Sequence, residues 1–144
     1  MKQGGTTANL TGNNLQDFVE HALQKKGYGY IDKKKFKPAL YLEQPIYTKQ
    51  FDVCQSIYNK TLKCDFILYH PEKHPDCLVI ECKWQQVGGS VDEKFPFLVL
   101  NIQTKSPYKT LILLDGKGFK KEAEVEIEGR RFIRFRLNAS DIEF

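Results

Sequence analysis

Three strand-like runs follow one another with only short breaks: "PIYTKQFDVCQSIY", "TLKCDFILYH" and "DCLVIECKW". Each mixes β-branched, aromatic and aliphatic residues and is bounded by turn formers. Strands joined this closely usually lie side by side in one sheet, so this feature narrows the fold more than any other. "HPEKHPD" separates the last two runs, carries two prolines and reads as a hairpin loop.

Helical patterns flank the strands. In "NNLQDFVEHALQKKGYGY", Leu15, Phe18, Val19, Ala22 and Leu23 recur at i, i+3, i+4, i+7 and i+8, the apolar stripe of an amphipathic helix. Asn13 or Asn14 is placed to cap it, Gly27 to end it, and Lys25 and Lys26 fall in its last turn. "DKKKFKP" reads as a basic loop. In "GGSVDEKFPFLVLNIQ", the spacing of Val91, Phe95, Leu98, Val99 and Ile102 predicts a second helix, with Ser90 and Glu93 as a capping box. Pro96 lacks a backbone donor, so a kink or a later start is expected there. "KTLILLDG" reads as a buried strand and "RRFIRFRL" as an alternating one, while "GKGFKKEAEVEIEG" is ambiguous. The expected fold is α/β: a mixed sheet in αβββαβ order flanked by helices. Residues 1–12, rich in Gly, Thr and Asn, are expected to be a mobile segment, and residues 13–144 one domain.

Composition excludes some classes. No run of about 18 apolar residues exists, so a membrane span is not expected, and the N-terminal residues lack the apolar stretch of a secretory signal. Cys54, Cys64, Cys77 and Cys82 sit in or beside apolar runs and read as reduced core residues of an intracellular, cytoplasmic protein. The net charge of +4 is compatible with a polyanionic partner without requiring one.

The third strand ends oddly, in "ECKWQQ". Alternate side chains share a face, so Leu78, Ile80, Cys82 and Trp84 point one way, and Val79, Glu81, Lys83 and Gln85 the other. The second set begins apolar and becomes charged. On the preceding strand, Leu62, Cys64, Phe66 and Leu68 are expected on one face and Lys63, Asp65 and Ile67 on the other. Hairpin pairing around His74 joins residues whose numbers sum to about 147, and those of Asp65 and Glu81 sum to 146. The two acids are therefore expected as neighbours. Carboxylates so placed repel unless a positive charge lies between them. A hard divalent cation fits, with Lys83 one pleat further on to position a water or to stabilise charge on a phosphoryl oxygen.

At this point the chain resembles a known family. Asp65, fifteen residues, then Glu81-Cys82-Lys83 is similar to the signature of the PD-(D/E)XK nuclease superfamily, the restriction-endonuclease-like fold. The resemblance takes in "LQDFVEHALQKKGYGYI", "ECKWQQVGGSVDEKFPFLVLNI" and "TLILLDG", over residues 10–118. It implies that Asp65 and Glu81 hold Mg²⁺ (Mn²⁺ can substitute), helped by the main-chain carbonyl of Cys82, and that Lys83 is catalytic. It also implies that Glu20 in the first helix joins the metal site and that Gln85 orients water or phosphate. Cys64 stands where the motif's name places proline, a position that varies in the family.

The function implied is a Mg²⁺-dependent DNA endonuclease, working as a homodimer or with a partner subunit if both strands of a duplex are cut. A catalytically inactive DNA-binding module on the same fold is the alternative; a third reading makes the trio an ordinary surface cluster, where Glu81 and Lys83 form only a weak solvated pair. Lys33, Lys34, Lys35 and Lys37, "GFKK" and "RRFIRFR" are basic runs that serve either as solvated surface or as phosphate contacts. Lys33, Lys34 and Lys35, with Ser90 and Lys94 in "GSVDEK", are the expected nucleic-acid contacts. A zinc site is disfavoured, because Pro71 and Pro75 oppose the helix that His70 and His74 would need.

Overall fold

In the computed structural model, residues 4–84, 97, 98, 100–115 and 132–136 are described. In chain order the elements are helix α1 (Gly4–Lys25), strand β1 (Gly29–Tyr30), helix α2 (Lys33–Ala39) running into a 3₁₀ turn (Leu40–Leu42), β2 (Ile46–Gln55), β3 (Thr61–His70), β4 (His74–Trp84), β5 (Lys109–Asp115) and β6 (Phe132–Arg136). Residues 97, 98 and 100–104, between β4 and β5, are also helical. The six strands form one sheet in the order β1-β2-β3-β4-β5-β6. β2, β3 and β4 run antiparallel as a meander, while β1 pairs with β2, β4 with β5 and β5 with β6 in parallel. This is the mixed-sheet α/β fold that the element order implies, with β4 inside the sheet.

Among the described residues, one apolar cluster is associated with α1 and another with α2. Leu15, Val19 and Leu23 are buried along one face of α1. Val19 and Leu23 pack on Tyr47, Phe66, Leu68, Leu78, Ile80, Leu111 and Leu113 of the sheet. Each fully buried aliphatic or Phe side chain contributes about 1.5–3 kcal/mol. Beyond α1, Gly27 takes a left-handed φ of 90°, and the Tyr28 N–H returns to the Leu23 carbonyl at 3.0 Å. A glycine is favoured at this helix end because a Cβ is strained at that φ. The second cluster joins Phe36 of α2 to Phe51, Cys64, Ile67, Tyr69, Cys77 and Val79.

Three expectations need correction. α1 begins at Gly4, not at Asn13 or Asn14. Once the Leu15–Leu23 stripe is packed, adding a helical residue costs little, so a polar flank of modest propensity can be drawn in. "DKKKFKP" is not a loop but α2: the Asp32 Oδ1 accepts the Lys34 N–H at 2.9 Å as an N-cap, and Phe36 and Ala39, three apart, are buried.

The third concerns β3. Cys64 belongs to the cluster of Phe51, Ile67 and Val79, whereas Phe66 and Leu68 face α1. The alternation therefore breaks between Cys64 and Phe66. β2 breaks at the same level, because Tyr47 lies in the α1 cluster and Phe51 in the other. The residue facing Asp65 there is Gln50, between the pairs Lys49↔Phe66 and Phe51↔Cys64, and its φ of 54° is left-handed. Such a backbone rotates the following side chains to the opposite face, as a strand irregularity does. The faces expected for Leu78, Ile80 and Cys82 on one side and Val79 on the other are those observed.

Candidate active site

The hairpin of β3 and β4 pairs Leu68 with Leu78, Ile67 with Val79 and Phe66 with Ile80, all summing to 146. A register shift between Leu68 and His70 brings His70 opposite His74, so the loop end carries an irregularity that simple arithmetic omits. His70 is used by that turn, its Nδ1 accepting the Glu72 and Lys73 N–H groups at 3.1 Å each. Beyond Phe66↔Ile80 the next residues are Asp65 and Glu81, as the hairpin spacing predicts. Here the Asp65 side chain bridges the two strands: its Oδ2 accepts the Cys82 backbone N–H at 2.7 Å. Its Oδ1 accepts the Gln16 Nε2–H of α1 at 3.3 Å. The carboxylate is thus fixed by a neighbouring backbone and by the helix above.

Glu81 follows four buried residues of β4, Cys77 to Ile80, and is itself only 9% exposed. Burial, reinforced by the negative charge of Asp65, pushes its carboxyl up to about 8, while Lys83 pulls it back. The Lys83 Nζ stands 3.6 Å from the Glu81 Oε2. Both side chains line a cavity of about 200 Å³ that is walled by Val79 on the sheet and by Leu98 and Ile102 of the later helical segment. An acid, a second acid that resists ionising beside it, and a lysine partly open to solvent therefore meet at one point of the sheet.

This donor set suits a hard dication. Among the described residues no three His, Cys, Asp or Glu side chains cluster to chelate a metal. Two carboxylates suffice for Mg²⁺, which takes few protein oxygens and retains waters. A dication would also offset the burial and the Asp65 repulsion that together favour the protonated Glu81.

The other sequence candidates distribute differently. Glu20 is engaged elsewhere: its Oε2 accepts the Tyr47 hydroxyl at 2.6 Å and its Oε1 the Lys49 ammonium at 3.1 Å. Burial acts to raise its pKa, but those two partners outweigh it and the net shift is downward. Burial and Glu20 in turn push the Tyr47 phenol up to about 12. The α1 residue that reaches Asp65 is Gln16, one turn earlier. Its i, i+4 spacing to Glu20 is the sequence signal for it, carried by an amide rather than by an acid. Cys82 contributes its N–H to Asp65 and packs its side chain against the α1 cluster. Lys33, Lys34 and Lys35 form the first turn of α2, whose Phe36 packs against Phe51. Gln85, Ser90 and Lys94 lie outside the described residues, as do the expected capping box and "GKGFKKEAEVEIEG". All four cysteines are free thiols.

A helix over a mixed sheet, with two acids and a lysine gathered where the central hairpin stops pairing, defines an α/β domain of restriction-endonuclease-like fold. A family model described as the PD-(D/E)XK nuclease superfamily domain matches residues 7–136, and the chain belongs to that superfamily. The match runs past Gly118, where the resemblance read from sequence stopped, and takes in β6. Nucleases of this superfamily generally use divalent metals and act on nucleic acid. No curated protein and no solved structure matches the chain. Among the described residues no helix is long and apolar enough to cross a membrane.

Proposed function

We propose that the chain is a metal-dependent endonuclease that hydrolyses phosphodiester bonds in DNA. The observation that carries this reading is the meeting of Asp65, buried Glu81 and Lys83 where β3 and β4 stop pairing. Asp65 and Glu81 would hold Mg²⁺ or Mn²⁺, with the main-chain carbonyl of Cys82 as a further ligand. When bound, the cation supplies an acidified water and a positive charge against the phosphoryl oxygens. Lys83 orients the attacking water and stabilises negative charge growing on the phosphate. Gln16 acts through Asp65 and is a positioning residue. Gln85 completes the set by orienting water or phosphate. Lys33, Lys34, Lys35, Ser90 and Lys94 contact the DNA backbone. Cutting both strands of a duplex takes two such sites, hence a homodimer or a partner subunit.

The test is incubation of the protein with supercoiled, branched and single-stranded DNA in Mg²⁺, Mn²⁺ or EDTA, beside Glu81→Ala and Lys83→Ala. Metal-dependent cleavage lost in both variants supports the proposal. Salt-sensitive binding without cleavage of any substrate would replace it by the inactive binding module. A monomeric mass on cleaved duplex would remove the homodimer.

A further inference from the structure

Four large apolar side chains lie exposed at one end of the sheet: Ile57 and Tyr58 in the β2–β3 turn, and Phe97 and Leu100 in the later helical segment. The Tyr58 and Phe97 rings are stacked, with centroids 5.6 Å apart and planes 12° from parallel. Tyr58 nevertheless remains 69% exposed. Exposed apolar side chains usually occur singly, so a stacked pair beside two further apolar residues calls for an explanation.

The pair is held rigidly. The buried Asn101 side chain accepts the Ile57 N–H at 2.9 Å and donates to the Phe97 carbonyl at 2.8 Å. One amide therefore ties the turn to the helical segment. The turn is braced further by Ser56, whose hydroxyl accepts the Tyr58 and Lys60 N–H groups at 3.1 and 3.2 Å. Three lysines lie near it, with Asp52 opposite Lys63 across β2 and β3. Lys60 lies in the turn, Lys63 lines the Glu81 and Lys83 cavity, and Lys105 is close enough to act on the Cys54 thiol. None of the three forms an ion pair among the described residues. Asn101, which bonds to the Ile57 N–H and the Phe97 carbonyl, also lines that cavity, as does Leu98, the neighbour of Phe97 in the chain.

We propose that Tyr58 and Phe97 form a stacking step for an unpaired nucleobase of the DNA substrate, with Lys60, Lys63 and Lys105 holding its phosphates. The proposal rests on the nucleic-acid reading above. A rigid aromatic face accepts any base without paying to order itself, and lysines around it neutralise the strand. A perfectly paired duplex offers no free base face. The site therefore selects DNA with a gap, flap or bubble near the scissile phosphate.

The experiment measures binding in EDTA, where cleavage is off, by fluorescence anisotropy. Wild type, Tyr58→Ala, Phe97→Ala and Tyr58→Trp are compared on a gapped duplex and on its fully paired counterpart. A 2-aminopurine placed in the gap reports stacking directly by its quenching. At about 1–3 kcal/mol per stacked base, both alanine variants should bind the gapped DNA roughly 5- to 150-fold more weakly, with paired DNA unchanged. Quenching should be lost in both and kept in Tyr58→Trp. Equal weakening on both DNAs, or quenching that survives Tyr58→Ala, overturns the stacking step while leaving the nuclease reading intact. So does a change only in self-association by sedimentation, which would make the patch a contact between two copies. Wild type that binds neither DNA in EDTA overturns the stacking step, and wild type that also cleaves neither in Mg²⁺ or Mn²⁺ overturns both readings.

Discussion

Replacing Glu81 with Gln should stabilise the metal-free protein, by an amount that grows with pH. Glutamine keeps the shape of the side chain and a donor toward Asp65, but removes the buried charge. The ordinary value for this carboxyl is 4.5, and burial beside Asp65 raises it to about 8 in the fold. The folded chain thus keeps a proton that the unfolded chain releases first. The stability from this group is fully present below pH 4.5 and is lost as pH rises through 8. Integrated over that window, the penalty of Glu81 is under about 1 kcal/mol at pH 5 and about 3 kcal/mol at pH 7. For a domain of this size, about 3 kcal/mol is on the order of 10 °C in Tm. Denaturant and thermal unfolding in EDTA, for wild type and Glu81→Gln at several pH values, read the difference. Two pH profiles that run parallel would refute the reasoning, since the acid would then not be buried beside Asp65. Mg²⁺ extends the test: binding displaces that proton, so the apparent Kd should fall from pH 6 to pH 8 and a fixed Mg²⁺ concentration should stabilise wild type more at pH 8; at a hundred times the Kd the stabilisation is about 2.7 kcal/mol. Glu81→Gln should gain little.

Lys83→Met should lower cleavage by a factor of about 100 or more while leaving Mg²⁺-induced stabilisation in place, a separation that metal titration beside a cleavage assay can read. Gln16→Leu removes one bond to Asp65 and should cost about 0.5–1.5 kcal/mol; its metal half-saturation should rise, and unchanged metal dependence would remove its positioning role. Tyr47→Phe leaves Glu20 without its shortest hydrogen bond and should cost about 1–3 kcal/mol by denaturant unfolding, with metal dependence retained. Burial pushes the Cys64 thiol well above the usual range, and its side chain is buried, so thiol reagents should label it only on unfolding, and rapid labelling of Cys64 in the native protein, read by peptide mass mapping, would contradict its placement.

The meander, the register of its hairpin and the meeting of Asp65 with Glu81 were all legible in the chain. Each follows from short-range rules: strand alternation, a loop too short to permit other topologies, and pairing that advances one residue on each strand. The α1 stripe was legible for the same reason, since Leu15, Val19 and Leu23 must share one face of any helix. Tertiary structure decided what those rules leave free. The backward reach of α1 to Gly4 and the helical state of "DKKKFKP" depend on packing rather than propensity, because Phe36 finds Phe51 only once β2 is in place. Gln16 and Glu20 share a helix face, and only the docking of α1 over the sheet sends the amide to Asp65 and the acid to Tyr47 and Lys49. The reversal of faces at Gln50 and Asp65 has no local signal either. A glutamine at a left-handed φ is costly in isolation and persists only where the surrounding sheet holds it. The identity of the acids is therefore written in the sequence, while their burial, the proton on Glu81 and the partners that hold Asp65 arise only when α1, β3 and β4 pack together.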